Sequence, residues 1–132
     1  MYLLDTNICI YAIKNRPEAV LNRIRENRPE GLCISVITLA ELRHGVEKSL
    51  HKEKNEQALL KFLSVLEILP FDDHAAIEYG KICSELQRQG TPIGTMDMLV
   101  AAHAKARRLT LVTNNGREFM RVPGLRIENW AA

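Results

Sequence analysis

The sequence predicts an α/β fold whose central, mostly parallel sheet is covered by helices on both faces. Three observations carry that expectation. Short apolar or β-branched runs recur along the chain, at residues 1–4, 33–37, 68–69 and 110–113. The segments between them have helical spacing and are long enough to cross over between parallel strands. Turn-forming Gly and Pro residues separate the two kinds of segment, and strands alternating with helices favour a parallel sheet.

The first run, Met1-Tyr2-Leu3-Leu4, stops at the acidic Asp5 and the polar Thr6-Asn7. It reads as a buried strand that delivers a carboxylate to its C-terminal edge, where open α/β sheets bind ligands. Ile8 to Lys14 should form a short helix. Pro17 suits the first turn of a second, with Val20, Leu21 and Ile24 inward and Arg23, Arg25 and Arg28 beside them. Pro29 and Gly31 end that helix before a β-branched strand at residues 33–37.

Thr38 and Glu41 have capping-box spacing, which places a helix start at Thr38 with Leu39, Leu42 and Val46 inward. The charged stretch Glu47 to Glu56 reads as the exposed turn of a helical hairpin. Its second arm buries Leu59, Phe62, Leu63 and Leu66. Ile68-Leu69 is a weak third strand. Asp72 or Asp73 should cap a long helix with Ala76, Tyr79, Ile82, Cys83 and Leu86 inward, stopped by Gly90. Thr95 should cap the next helix, in which Met96, Leu99, Val100 and His103 share a face. Thr110 to Thr113 is a strand, Asn114-Asn115-Gly116 a turn, Arg117 to Met120 a helical turn, and Arg126 to Glu128 an edge strand before Trp130.

Size and composition bound the possibilities. At 132 residues the chain fits one domain, residues 1–132, able to bury a core without staples. Hydrophobic residues at 46% and charged residues at 26% argue against disorder, and a net charge of +2 neither identifies nor excludes a nucleic-acid binder. Cys9, Cys33 and Cys83 are odd in number, widely spaced and set in apolar segments, so buried thiols in a reducing compartment are expected. The N-terminus has no basic n-region and no apolar run is long enough to span a bilayer, which points to a cytoplasmic protein without a membrane partner.

In a parallel sheet, the strands ending at Asp5 and Thr113 share an edge, and the helices starting near Thr38 and Thr95 can face it. Glu41 and Asp97 would then join Asp5. Clustered carboxylates repel unless a cation or a proton neutralises them. Oxygen donors without Cys or His suit Mg²⁺ or Mn²⁺, and such an ion activates water and stabilises charge on an attacked phosphate. Taken singly, Glu41 is half of a capping box and Asp97 an acid favoured at a helix N-terminus. Asn115-Gly116 is a turn signal, and Glu118 a surface charge. Asp5 has no such structural explanation. Glu41 and His44 form one E-x-x-H step, whereas a di-iron bundle needs two. His103 reads as packing or surface, and His51 and His74 carry no signal. A metal-free histidine-pair ribonuclease is disfavoured.

Leu4-Asp5-Thr6-Asn7, Ser35 through Leu42, Pro92-Ile93-Gly94 leading to Asp97 and Ala101-Ala102-His103-Ala104, and Leu111 through Asn115 with Glu118-Phe119 together resemble the PIN-domain toxins of the VapC type. The four motifs occur in order and span nearly the whole chain. The resemblance implies a three-layer α/β/α fold and a Mg²⁺-dependent endoribonuclease that hydrolyses RNA with metal-activated water. It assigns metal binding to Asp5 and Asp97 and the completion of an acidic triad to Glu41. A fourth acid often follows the Thr-Asn of the last motif, where this chain has Asn115; Glu118, one helical turn on, is the candidate replacement.

The resemblance further implies a homodimer held inactive by a cognate VapB-type antitoxin, and a structured RNA substrate with tRNA foremost. Basic residues near the proposed edge, Lys14, Arg16, Arg117 and Arg121, suit phosphate contacts. Apolar side chains on the first two helices are candidates for the dimer surface. Two rivals follow from the same residues. An aspartyl-phosphate phosphatase would need a second Asp where Asn7 stands. A catalytically inactive PIN-like RNA- or protein-binding module would be consistent with Asn115.

Overall fold

The computed structural model describes residues 1–131. Five strands form one sheet in the order β3-β2-β1-β4-β5, every neighbouring pair parallel. They are β1 (Tyr2–Leu4), β2 (Leu32–Ser35), β3 (Glu67–Leu69), β4 (Thr110–Val112) and β5 (Ile127–Glu128). The helices are α1 (Thr6–Ile13), α2 (Glu18–Asn27), α3 (Val36–Glu47), α4 (Lys52–Leu63), α5 (Asp73–Gln89), α6 (Thr95–Arg107) and α7 (Gly116–Phe119), with a 3₁₀ turn at Arg28–Glu30. This is the expected three-layer α/β/α arrangement.

The pleat explains the layers. Adjacent residues on a strand point to opposite faces, so Leu3, Cys33 and Leu111 enter one core and Leu4, Ile34 and Val112 the other. On the first face they meet Ile82 and Leu86 of α5 and Val100 and Ala101 of α6. On the second they meet Ile8 and Cys9 of α1, Val20 and Ile24 of α2, Leu42 and Val46 of α3, Leu59 of α4, and Trp130. Each fully buried Leu or Ile contributes about 1.5–3 kcal/mol, so the paired central strands are the most strongly held part of the sheet. β1 lies between β2 and β4, and the chain leaves it in opposite directions across the sheet, which opens a crevice at its C-terminal edge.

Several boundaries differ from the sequence expectations. α1 begins at Thr6 because Asp5 caps it, accepting the Ile8 amide at 3.0 Å. β2 ends at Ser35, not Ile37, because the Ser35 hydroxyl accepts the Ile37 amide at 3.1 Å and turns the chain into α3 two residues early. Thr38 is therefore no cap. It lies buried within α3, its hydroxyl without a partner. α6 is capped by Gly94, with Thr95 its first residue. α4 starts at Lys52, so the connector from α3 is shorter than the charge run suggested.

α5 forms as expected: Asp72 accepts the Ala75 amide at 3.0 Å, and Gly90 closes the helix at φ 70°. Its inward alanine is Ala75 rather than Ala76, and Met96 on α6 faces out. The most exposed apolar side chains outside the termini and turns sit on α3 to α6, among them Val36, Leu60, Ile77 and Met96. None of these is on the first two helices, where the dimer surface was expected. Among the described residues, no helix is long and apolar enough to cross a membrane. Cys9 and Cys33 are buried free thiols and Cys83 is half-buried.

Candidate active site

Asp5 follows β1 directly and is only 8% exposed. Its amide donates to the Val112 carbonyl at 3.0 Å, which continues the β1–β4 ladder by one residue and holds the carboxylate at the crevice. Burial raises its carboxyl above the usual range, and neighbouring Glu41 adds to the rise. The Thr113 hydroxyl and the Ile8 amide act in the opposite direction.

Glu41 projects from the second turn of α3. Released from any capping role, its Oε1 accepts the Thr6 hydroxyl at 2.7 Å, a bond between the first turn of α1 and α3 that sequence spacing did not suggest. Asp97 lies in the first turn of α6. Burial, the anions Glu118, Asp5 and Glu41, and a hydrogen bond with Glu118 push its carboxyl up to about 6. Asn115 meets this pair from the side: its Nδ2 donates to Glu118 Oε2 at 3.1 Å, and its backbone amide donates to Thr113 Oγ1 at 2.9 Å.

The structure therefore brings together all five residues singled out in the sequence. Asp5, Glu41, Asp97 and Glu118 form one electrostatic neighbourhood, and Asn115 orients Glu118. Sequence reasoning missed two side chains that hold them, Thr6 for Glu41 and Thr113 for Asp5; beside them Asn114 ties the last motif to α1, accepting from Asn7 at 3.4 Å and donating to the Tyr11 hydroxyl at 2.8 Å. The Asp-Thr-Asn and Thr-Asn-Asn triplets were the available signal, since small polar residues next to a strand-end acid have few roles except to bind it or its neighbours.

Among the described residues, none of the four carboxylates is paired with a cationic side chain. No group of three or more His, Cys, Asp and Glu side chains among the described residues is placed to hold a metal ion together. The fit is to a partly hydrated hard cation, which needs only one or two direct carboxylates and keeps its remaining waters. A groove of about 210 Å³ runs from Glu41 between α1, α3 and α4, floored by Ile10, Ile13, Leu42 and Leu59 and flanked by Lys14. Beside it, Tyr11, Lys14 and Arg16 line a second depression. Arg121 is turned aside, donating to the Pro92 carbonyl at 3.0 Å.

Residues 2–125 match the PIN domain family. The chain is 51% identical to the tRNA(fMet)-specific endonuclease VapC of Salmonella typhimurium, with 98% of this chain and 97% of the relative covered. It superposes on the crystal structure of VapBC2 from Rickettsia felis, solved with a DNA fragment from the promoter, with a TM-score of 0.94, 45% identity and 98% of both chains covered. The DNA-bound VapBC structure from Salmonella typhimurium gives 0.93, with 51% identity over 98% of this chain and 97% of that one. This chain belongs to the PIN-domain family, in its VapC branch.

Proposed function

We propose that this chain is the endoribonuclease toxin of a VapBC-type toxin–antitoxin pair and that it cuts tRNA in the cytoplasm, with initiator tRNA the first substrate to test. The observation that carries the reading is the uncompensated cluster of Asp5, Glu41, Asp97 and Glu118 at the crevice beside β1. Relatives of matching length named as a tRNA(fMet)-specific endonuclease support the substrate. Solved VapBC complexes support an antitoxin partner.

PIN-domain ribonucleases depend on a metal ion. In this reading Asp5 and Asp97 hold Mg²⁺, with Mn²⁺ able to replace it, and Glu41 completes the triad. Once bound, the ion supplies charge neutralisation at the attacked phosphate and a lowered pKa for coordinated water. The protein's own groups do the positioning. Thr6 fixes the Glu41 rotamer, Asn115 keeps Glu118 turned toward Asp97, and the Asp5 backbone is tied to β4. Hydrolysis breaks the P–O3′ bond as water oxygen adds to phosphorus, leaving a 5′-phosphate and a 3′-hydroxyl. Lys14, Arg16 and Arg117 make salt-sensitive contacts to RNA phosphates. The apolar groove leading to Glu41 receives the VapB-type antitoxin, and the active toxin is a homodimer.

The test is cleavage of purified tRNA and total RNA in Mg²⁺ or Mn²⁺ against EDTA, with Asp97→Asn alongside and the new ends mapped. Discrete metal-dependent cuts bearing 5′-phosphates, absent in the variant, are expected. Folded wild-type protein that binds RNA without cutting it would instead identify a binding module.

A further inference from the structure

His103 is fully buried, yet nothing in the site described above uses it. It sits on α6, and its Nδ1 lies 2.7 Å from the Ser35 hydroxyl at the junction of β2 and α3. Ser35 Oγ already accepts the Ile37 amide, so its own proton is free to go to Nδ1, which places the ring proton on Nε2. Nε2 has no partner at hydrogen-bond distance, although the Pro70 carbonyl lies nearby, and the ring stands edge-on to Phe71 at 5.4 Å. A half-satisfied imidazole is a costly way to fill core volume that an aliphatic side chain would fill without penalty. The ring's one directional side-chain bond leads out of α6 to the start of α3.

Ser35 precedes Glu41 by six residues, and His103 follows Asp97 by six. Each member of the pair is thus about 9 Å of backbone rise from the carboxylate its own helix carries. Leu42 and Val46 of α3 pack on one face of the sheet and Val100 and Ala101 of α6 on the other, while Ile37 at the start of α3 packs against the α6 side. Among the described residues, the Ser35–His103 bond is the one side-chain hydrogen bond that joins α6 to the capped start of α3. Apolar packing tolerates sliding more readily than a directional 2.7 Å bond does.

We propose that His103 is a positioning residue, which through Ser35 sets the separation of Glu41 and Asp97 and so the affinity of the site for its divalent ion. The proposal rests on the site assignment given under Proposed function. A misplacement of about 1 Å at a reacting centre can cost up to about a hundredfold in rate, and loss of a group supporting a metal ligand about ten- to a hundredfold in affinity or activity.

The experiment uses the full chain and the variants His103→Ala, His103→Asn, Ser35→Ala and the Ser35→Ala/His103→Ala double variant. Melting curves set an assay temperature at which each is folded. Cleavage of tRNA then gives kcat and KM, and calorimetric titration with Mn²⁺ alone gives metal affinity without turnover. The expected result for His103→Ala is kcat and Mn²⁺ affinity each lowered about tenfold or more, with KM changed less than about twofold. His103→Asn, whose amide can keep the bond to Ser35, should recover most of both. Ser35→Ala should resemble His103→Ala, and the double variant should be no worse than either single.

Wild-type kcat and Mn²⁺ affinity in folded His103→Ala would overturn the proposal, as would losses that multiply in the double variant or an Asn variant no better than Ala. If His103→Ala does not fold, Ser35→Ala, which keeps the ring, decides on the same readouts. Asp97→Asn separates the two levels. Retained cleavage there removes the site and this proposal together, whereas loss of cleavage there with normal His103→Ala overturns the positioning role alone.

Discussion

Replacing Asp97 with Asn should make the metal-free protein more stable while abolishing its nuclease activity. The Asp97 carboxyl ionises at about 6 in the folded protein against an ordinary 3.8, because burial, Glu118, Asp5 and Glu41 all oppose its charge. A carboxyl raised on folding holds more proton in the folded than in the unfolded state between those two values. Stability therefore falls as pH rises through that window, and the full penalty is present above about pH 6.5. Raising the carboxyl from 3.8 to about 6 corresponds to roughly 3 kcal/mol. Asp97 is partly open to solvent, which cuts this to about half.

Asn also gives up about 0.5 kcal/mol from an anion in the first turn of α6. A net gain of about 1 kcal/mol remains, or about 3–5 °C in melting temperature for a domain of this size. The assay is thermal unfolding in EDTA at pH 8 and again at pH 4.5, where the wild-type carboxyl is already protonated and the gap should shrink to a fraction. Adding Mg²⁺ at pH 8 should stabilise the wild type and leave the variant unmoved. A variant no more stable than wild type at pH 8, or a gap independent of pH, would refute the electrostatic argument.

Three further outcomes follow from individual contacts. Thr6→Val removes the 2.7 Å donor to Glu41 while keeping the side-chain shape; the cleavage rate should drop about tenfold, with stability changed by about 1 kcal/mol or less in urea unfolding. Asn115→Asp turns the 3.1 Å donor to Glu118 into another anion. The EDTA-treated protein should lose about 1 kcal/mol, measured by melting, and millimolar Mg²⁺ should restore it. Trp130→Ala should cost about 3–5 kcal/mol by denaturant titration, because the buried indole stands edge-on to Tyr2 at 5.1 Å, lies 5.5 Å from the Arg23 guanidinium, and donates to Glu128 at 2.9 Å.

Local rules explain what could be read in advance. The alternation of strands and helices, Asp5 at the end of a buried strand, the Asp72 cap and the Gly90 stop all follow from neighbours within four or five residues, and the structure has each of them. The same locality explains the errors. Capping-box spacing pointed to Thr38, but Ser35, the last residue of β2 and still paired with Leu69 of β3, accepts the Ile37 amide and starts the helix first. Met96 was assigned inward by periodicity alone, but in the first turn of α6 it is Met98 that packs against the core, and Met96 is left exposed.

By itself, the sequence determined the chemical inventory: four carboxylates and an Asn within recognisable motifs, hard oxygen donors, no competing thiol or imidazole set, and an α/β pattern that puts strand ends where ligands bind. Only the tertiary structure decided adjacency. β4 comes from more than a hundred residues away to lie beside β1, and that pairing alone carries Thr113, Asn115 and Glu118 to Asp5. The Thr6–Glu41 and Ser35–His103 bonds likewise join positions 35 and 68 residues apart. Hydrophobic periodicity and capping are short-range and can be read along one chain, whereas strand order and cross-layer bonds depend on which complete packing buries the most apolar surface with its polar groups satisfied.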